Sequence, residues 1–312
     1  GTSIANGNTF TTPTLTTTTT YYVEVRNTTT GCISAIRTPV VAAIITTPNV
    51  AIAHDSSRCG PGVVTISATN AAGVPIDWYD QATGGTLLLS SSNTYTSPSI
   101  TSTTTYYAEV TSASGCVPSR TAVQAIINSI PNPATGTNNS RCGSGTISIS
   151  ASAGSNETIY WFDLSTGGTQ LGSGNNFNTP NISNTTIYYA EVKDNTTQCI
   201  STVRVPVTAL INPLPIEPTT TGDSKCGPGS LTLTASPGIN QTVNWYNQLS
   251  GGTLLSTGIS FTTPNISSTT TYFAEVTDNV TGCISATRTP AIAQIIDNPN
   301  PAIAVNAERC GP

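Results

Sequence analysis

Eight cysteines, at positions 32, 59, 116, 142, 199, 226, 283 and 310, have the clearest capacity for chemistry in this sequence. Successive gaps of 27, 57, 26, 57, 27, 57 and 27 residues lack the close C-x2–4-C pairs of a structural zinc site, so they point to disulfides. Two pairings fit. Joining residues 57 apart gives Cys59–Cys116, Cys142–Cys199 and Cys226–Cys283, each inside one repeat, and leaves Cys32 and Cys310 over. Joining residues 26 or 27 apart uses all eight but crosses repeat boundaries. The strand after each late cysteine carries the chain roughly 30 Å away at ~3.3 Å per residue, which favours the set within repeats. Each such bond would contribute ~2–4 kcal/mol to a small domain.

The other recurring groups are charged. Glu24, Glu109, Glu191 and Glu275 hold one repeat position, and Arg37, Arg120, Arg204 and Arg288 another. They read as ion pairs across a hairpin, worth a few tenths of a kcal/mol each at a solvated surface. Asp80, Asp163 and Asn247 follow a Trp-aromatic pair and read as turn residues bonding their own backbone. Calcium would require six to eight oxygens. His54 is the single histidine. With Asp55 and Ser56 it makes a His-Asp-Ser run, but catalysis requires convergence in space, and no other repeat carries the run. These residues imply no enzyme activity, no cofactor and no metal.

The elements that must position these side chains repeat every 83 or 84 residues. Trp78, Trp161 and Trp245 each stand 19 residues after a cysteine and 38 before the next. "VVTISA", "TISISA" and "LTLTA" alternate apolar and polar residues, as half-buried strands do. "TGG" and "SGG" supply hairpin turns, and the "YYxEV" strand forms a hairpin with the strand after the late cysteine. No 3.6-residue apolar stripe persists. Seven short strands per repeat with turns every 8–12 residues predict an all-β, immunoglobulin-like two-sheet sandwich, with Trp78, Trp161 and Trp245 in its core.

Pro- and Asn-rich junctions divide the chain into a partial domain at 1–46, complete domains at 47–129, 130–213 and 214–297, and the start of a further one at 298–312. Gly1 aligns with Gly85 and Pro312 with Pro61, so the two ends together would lack a counterpart of residues 62–84. The expectation is a window on a longer tandem array, extended as a rod.

Composition bounds the function. Charged residues make up 8% and the net charge is −5, with no basic patch for a nucleic-acid backbone. No apolar run reaches the length of a membrane helix. Threonine tracts at 14–20 and 101–105 suit extended, solvated backbone, although regular Thr arrays can also present a face to ice or polysaccharide.

Arg58–Gly60, Trp78–Tyr79, Gly84–Gly85, Thr103–Val110 and Gly115–Cys116, with their counterparts in the next two copies, make the sequence resemble a known repeat. It is similar to the immunoglobulin-like repeats of very large Bacteroidota cell-surface and secreted proteins, including gliding and adhesion proteins exported by the type 9 secretion system. The resemblance covers essentially the whole chain; Gln198 and Ser144 depart from it, at a turn glycine and a proline. It implies a spacer or adhesive stalk without catalytic residues, extracellular or on a bacterial surface.

The function expected is therefore a structural stalk or fibre-forming region of a surface adhesin. The alternative is a carbohydrate- or ice-binding array, or the spacer of a secreted polysaccharide-degrading enzyme. Tyr79, Phe162 and Tyr246, beside the tryptophans, would then be open aromatic platforms. Expected partners are neighbouring repeats of the same chain, other copies in a fibre or surface layer, and an unidentified glycan or protein ligand. No nucleic-acid partner and no membrane span are expected.

Overall fold

The computed structural model describes residues 1–111, 115–309 and 311, and divides into two compact units, Gly1–Ile130 and Pro131–Pro312. All regular structure among the described residues is strand. β-Branched Thr, Val and Ile dominate these segments and suit a pleated, half-buried surface.

The first unit begins with one antiparallel hairpin, β1 (Thr19–Val23) and β2 (Thr38–Ala42). A complete sandwich follows: β3 (Ile52–His54), β4 (Ser56–Cys59), β5 (Thr65–Thr69), β6 (Ile76–Tyr79), β7 (Leu87–Leu89), β8 (Thr94–Thr96), β9 (Thr104–Val110) and β10 (Thr121–Asn128). Its sheets are ordered β3-β5-β8 and β4-β10-β9-β6-β7.

The second unit repeats this plan twice. Its first domain contains β11 (Thr135–Thr137), β12 (Asn139–Cys142), β13 (Ser148–Ser152), β14 (Glu157–Phe162), β15 (Gln170–Ser173), β16 (Asn176–Asn178), β17 (Thr186–Asp194) and β18 (Val205–Asn212). Its second contains β19 (Thr219–Thr221), β20 (Asp223–Cys226), β21 (Thr232–Ser236), β22 (Gln241–Tyr246), β23 (Leu254–Thr257), β24 (Ser260–Thr262), β25 (Thr270–Asp278) and β26 (Thr289–Ile296). The sheet orders β11-β13-β16 with β12-β18-β17-β14-β15, and β19-β21-β24 with β20-β26-β25-β22-β23, match the first sandwich.

Each complete repeat therefore has eight strands rather than the seven expected, because its first strand splits between the sheets. β3 pairs antiparallel with β5; β4, one residue later, pairs parallel with β10. Asp55 sits at this crossing, and its carboxylate accepts the Gln124 backbone N–H at 2.8 Å. Asn138 takes the same part at the next crossing, accepting from Thr208 N–H at 2.7 Å. In the third copy Gly222 lets the backbones touch instead, since a Cβ there would lie 2.4 Å from the Ile292 carbonyl oxygen. One crossing is thus made in two ways.

The three cores are built alike. Trp78, Trp161 and Trp245 are fully buried, and each indole N–H donates to a carbonyl, of Ser92 at 2.8 Å, Gly174 at 2.8 Å and Gly258 at 3.0 Å. The indoles stack on Tyr95, Phe177 and Phe261 at centroid distances of 5.9, 5.6 and 5.7 Å. Those rings in turn tilt against Tyr106, Tyr188 and Tyr272. This aromatic line ties strands of both sheets through groups that bury large areas.

Candidate functional site

The best-formed recurring polar site surrounds the arginine that precedes the last strand of each complete domain. Arg120 Nε donates to Glu109 Oε2 at 3.0 Å, Arg204 to Glu191 at 3.0 Å, and Arg288 to Glu275 at 2.8 Å. These side chains are only 10–16% exposed, so the pairs are not the solvated surface links expected from sequence. Arg120 Nη1 also donates to the carbonyls of Gln81 at 2.8 Å and Gly84 at 2.6 Å. Arg204 does the same to Leu164 and Gly167, and Arg288 to Gln248 and Gly251. The guanidinium carbon lies 3.3 Å over Tyr79, 3.3 Å over Phe162 and 3.4 Å over Tyr246.

Local sequence builds the receiving turn. The paired glycines adopt φ 63° and 72° at Gly84 and Gly85, a region that penalises other residues. Asp80 Oδ1 accepts Thr86 N–H at 2.6 Å, Asp163 accepts Thr169 N–H at 2.7 Å, and Asn247 accepts Thr253 N–H at 2.8 Å. The turn carbonyls are thereby held where the arginine reaches them. Between the Trp and the next aromatic the pairing register shifts in every complete repeat, a bulge at the sheet edge. Burial, and next the Glu109 charge, push the Tyr79 hydroxyl above its usual pKa. Burial, and next a hydrogen bond with Glu275, do the same at Tyr246.

Tyr79, Phe162 and Tyr246 are accordingly not the open platforms that the glycan-binding alternative requires, because each carries a guanidinium on its face. The threonine tracts also have an internal use. Thr18, Thr103, Thr185 and Thr269 each accept, through Oγ1, a backbone N–H from Ile44, Ile127, Ile211 and Ile295 at 2.9–3.1 Å. His54 Nε2 lies 3.2 Å from Thr69 Oγ1, whereas Asp55 serves Gln124, so the His-Asp-Ser run does not converge. The described residues contain no group of three or more His, Cys, Asp or Glu placed to hold a metal, and no helix long and apolar enough to cross a membrane.

The cysteines overturn both sequence pairings. Cys142 bonds Cys283, with Cα atoms 5.5 Å apart and a sequence separation of 141. Cys59 and Cys199 are also disulfide-bonded, while Cys32, Cys116 and Cys226 are free thiols. The expected Cys59–Cys116, Cys142–Cys199 and Cys226–Cys283 bonds are therefore not formed. The reason is the parallel edge strand. Cys142 ends β12 opposite Asn212, at the far end of β18, whereas Cys199 lies just before β18 begins. Eight strand residues, ~26 Å, separate those ends, against the 4.4–6.8 Å that a disulfide usually spans. The partner comes instead from the turn before β26, in the following domain.

The turn that presents the late cysteine is braced by its own side chains. Asp278 Oδ1 accepts the N–H groups of Val280 at 3.0 Å and Thr281 at 2.8 Å, and Asp194 does so for Thr196 and Thr197. These bonds, the Thr281 and Thr197 N–H first, hold both carboxyls below their usual pKa. Gln198, at φ 62°, takes the conformation that Gly282 has at φ 72°, so the turn keeps its shape without glycine. Sequence reasoning missed the stacking and turn-carbonyl partners of the arginines. The signal was there: Arg120, Arg204 and Arg288 each occur in a repeat with an aromatic after Trp and a Gly pair, whereas Arg37 has neither before it.

A family model described as an Ig-like domain, CHU_C associated, matches residues 1–45, 46–128, 131–213 and 215–297. No functionally curated protein matches the chain. Among solved structures it is similar to a three-Ig structure of titin domains I67–I69, an E-to-A mutated variant, at 13% identity and TM-score 0.41, covering 82% of this chain and 100% of that one. Fibronectin(III)-like modules of Clostridium thermocellum CbhA match at 17% identity and TM-score 0.34, over 51% and 90%. Three N-terminal domains of the bacteriophage RB49 outer capsid protein Hoc match at 11% identity and TM-score 0.36, over 80% and 99%. With four consecutive matches to one family model, the chain belongs to the CHU_C-associated Ig-like domain family.

Proposed function

We propose that this chain is a non-catalytic structural stalk, part of a large extracellular surface adhesin of the type 9-secreted Bacteroidota kind that its repeats resemble. It holds adhesive parts away from the cell, and neighbouring copies pack beside it in a fibre or surface layer. The observation that supports this reading is how the recurring polar side chains are used. In all three complete repeats the Glu, Arg, turn Asp or Asn and Trp N–H bond partners within their own sandwich. Repetition here reproduces a fold rather than a reacting centre. Oxidised cysteines suit an extracellular location.

Small-angle scattering of the full chain tests the stalk. Three sandwiches in line at ~40 Å each give a radius of gyration of about 35 Å. A value near ~20 Å, that of one compact globule of 312 residues, would sink the proposal.

A further inference from the structure

We propose that Cys226 is the open half of a disulfide joint between repeats, and that it bonds Cys32 of a second copy of this chain, linking one molecule to the next. This goes beyond the stalk reading, and either can fail without the other.

The joint already formed shows which positions meet. Cys142, the early cysteine of its repeat, bonds Cys283, the late cysteine of the following one. The early position is held by Cys59, Cys142 and Cys226 among the described residues; the first two are disulfide-bonded and Cys226 is a free, exposed thiol. The late position is held by Cys32, Cys116, Cys199 and Cys283; the last two are bonded, whereas Cys32 and Cys116 are free. Bonding at the same positions in other copies marks these free thiols as halves of a joint.

Cys226 is presented as Cys142 is. Each ends a parallel edge strand, Cys226 opposite Ile296 and Cys142 opposite Asn212. The glycine that follows donates its N–H to the carbonyl of that same opposite residue, Gly227 to Ile296 and Gly143 to Asn212, both at 2.9 Å. Cys32 in turn is presented as Cys283 is. Its carbonyl accepts Asn27 N–H at 2.8 Å, and the Cys283 carbonyl accepts Asp278 N–H at 2.8 Å. Gly31 and Gly282, just before these cysteines, have φ 73° and 72°. Ile33 and Ile284, just after them, make matching bridges to Arg26 and Thr277. Of the two free late thiols, Cys32 is exposed and Cys116 half-buried, so Cys32 is the one a second molecule reaches.

The bond forms by exchange with a small-molecule disulfide, such as oxidised glutathione, as the oxidant. The Cys226 thiolate attacks it, breaking its S–S bond and releasing one small thiol. The Cys32 thiolate of the second molecule then attacks the Cys226 sulfur and displaces the other. Two protons and two electrons pass from the protein thiols to the two small thiols.

The test uses the full chain, purified without reductant so that its existing disulfides stay closed. Cys116→Ser and Cys310→Ser remove the other thiols; Cys310 lies outside the described residues. To this background either Cys226→Ser or Cys32→Ser is added, both at exposed positions that leave the cores untouched. Each chain is treated with oxidised glutathione, alone and mixed with the other, and the products are separated by non-reducing electrophoresis. Alone, each is expected to stay monomeric. The mixture is expected to give a covalent dimer, ~10-fold or more above either chain alone, in which peptide mapping finds Cys32 joined to Cys226. Equal dimer from each chain alone would mean indiscriminate pairing of exposed thiols and would overturn the proposal. A mixture that stays monomeric would overturn it too.

Discussion

The partial copy at the start of the chain and the complete copies carry the same Glu–Arg pair in different surroundings. Arg37 Nε meets Glu24 Oε2 at 2.8 Å, as close as any of the other three pairs. Yet its side chains are 47% and 29% exposed, against 10–16% in the complete domains. The β1–β2 hairpin is enough to bring the charges together. It offers neither the aromatic ring nor the turn carbonyls, which come from the Trp-bearing strand and the turn after it. Phe10 and Tyr21 likewise keep an edge contact at 5.2 Å without an indole to stack on. Contact distance is thus a local property of the hairpin, while burial is conferred by the rest of the sandwich.

The sharpest way to break this comparison is to remove the core ring. Trp245→Ala should destabilise its repeat by about 3–5 kcal/mol, whereas Phe10→Ala should cost far less because its surroundings are open. Hydrogen-exchange mass spectrometry, read repeat by repeat, distinguishes them; equal loss of protection would contradict the argument. Next in size is the arginine. Arg204→Ala leaves Glu191 enclosed without its partner and should cost about 3 kcal/mol, while Arg37→Ala should cost less than ~1 kcal/mol. Urea titration of each variant, followed by the same exchange readout, measures the ratio. If the two substitutions cost the same, the ring and carbonyls add nothing to the pair.

The smallest effect concerns pH at the turn before the late cysteine. The Thr197 and Thr281 backbone N–H groups hold the folded carboxyls of Asp194 and Asp278 below the ordinary aspartate pKa. A carboxyl lowered in the folded state stabilises above its unfolded pKa, and the contribution is lost as pH falls through the folded value. Protection at Thr197 and Thr281 should therefore weaken as pH drops below about 4. The partial copy has Asn27 at this place, accepting from Thr29 N–H at 2.9 Å and Thr30 N–H at 3.0 Å, with no proton to gain. Its turn should show no such transition, and Asp278→Asn should abolish the one in its own. NMR amide shifts across that pH range decide the matter.

Much of the fold was legible because its signals are local. Alternation along "TISISA", the fixed Cys–Trp spacing and the Gly pairs each reflect backbone geometry over a few residues. The site was only half legible. Glu and Arg at matching repeat positions announced a hairpin pair, but nothing beside Arg204 in the sequence shows that Phe162 lies beneath it. Those residues are 42 apart, Phe162 at the end of β14 and Arg204 just before β18, two strands that do not pair, and they meet only when the sheet has formed. The eighth strand was missed for a similar reason: Asp55 and Asn138 each accept a backbone N–H from a strand about 70 residues on, and Gly222 has no side chain to do so.

By itself, then, the sequence determined the period, the strand content and the side chains that recur, because each is set by spacing along the chain. Tertiary structure decided which cysteines meet. The strand length that keeps cysteines apart across a boundary also separates Cys142, opposite Asn212, from Cys199, which precedes the start of β18. That separation exists because β12 runs parallel to β18. Parallel pairing joins segments distant in sequence and leaves no turn to mark it. It sends the early cysteine to the end of the domain where the next one begins, and there Cys283 is waiting.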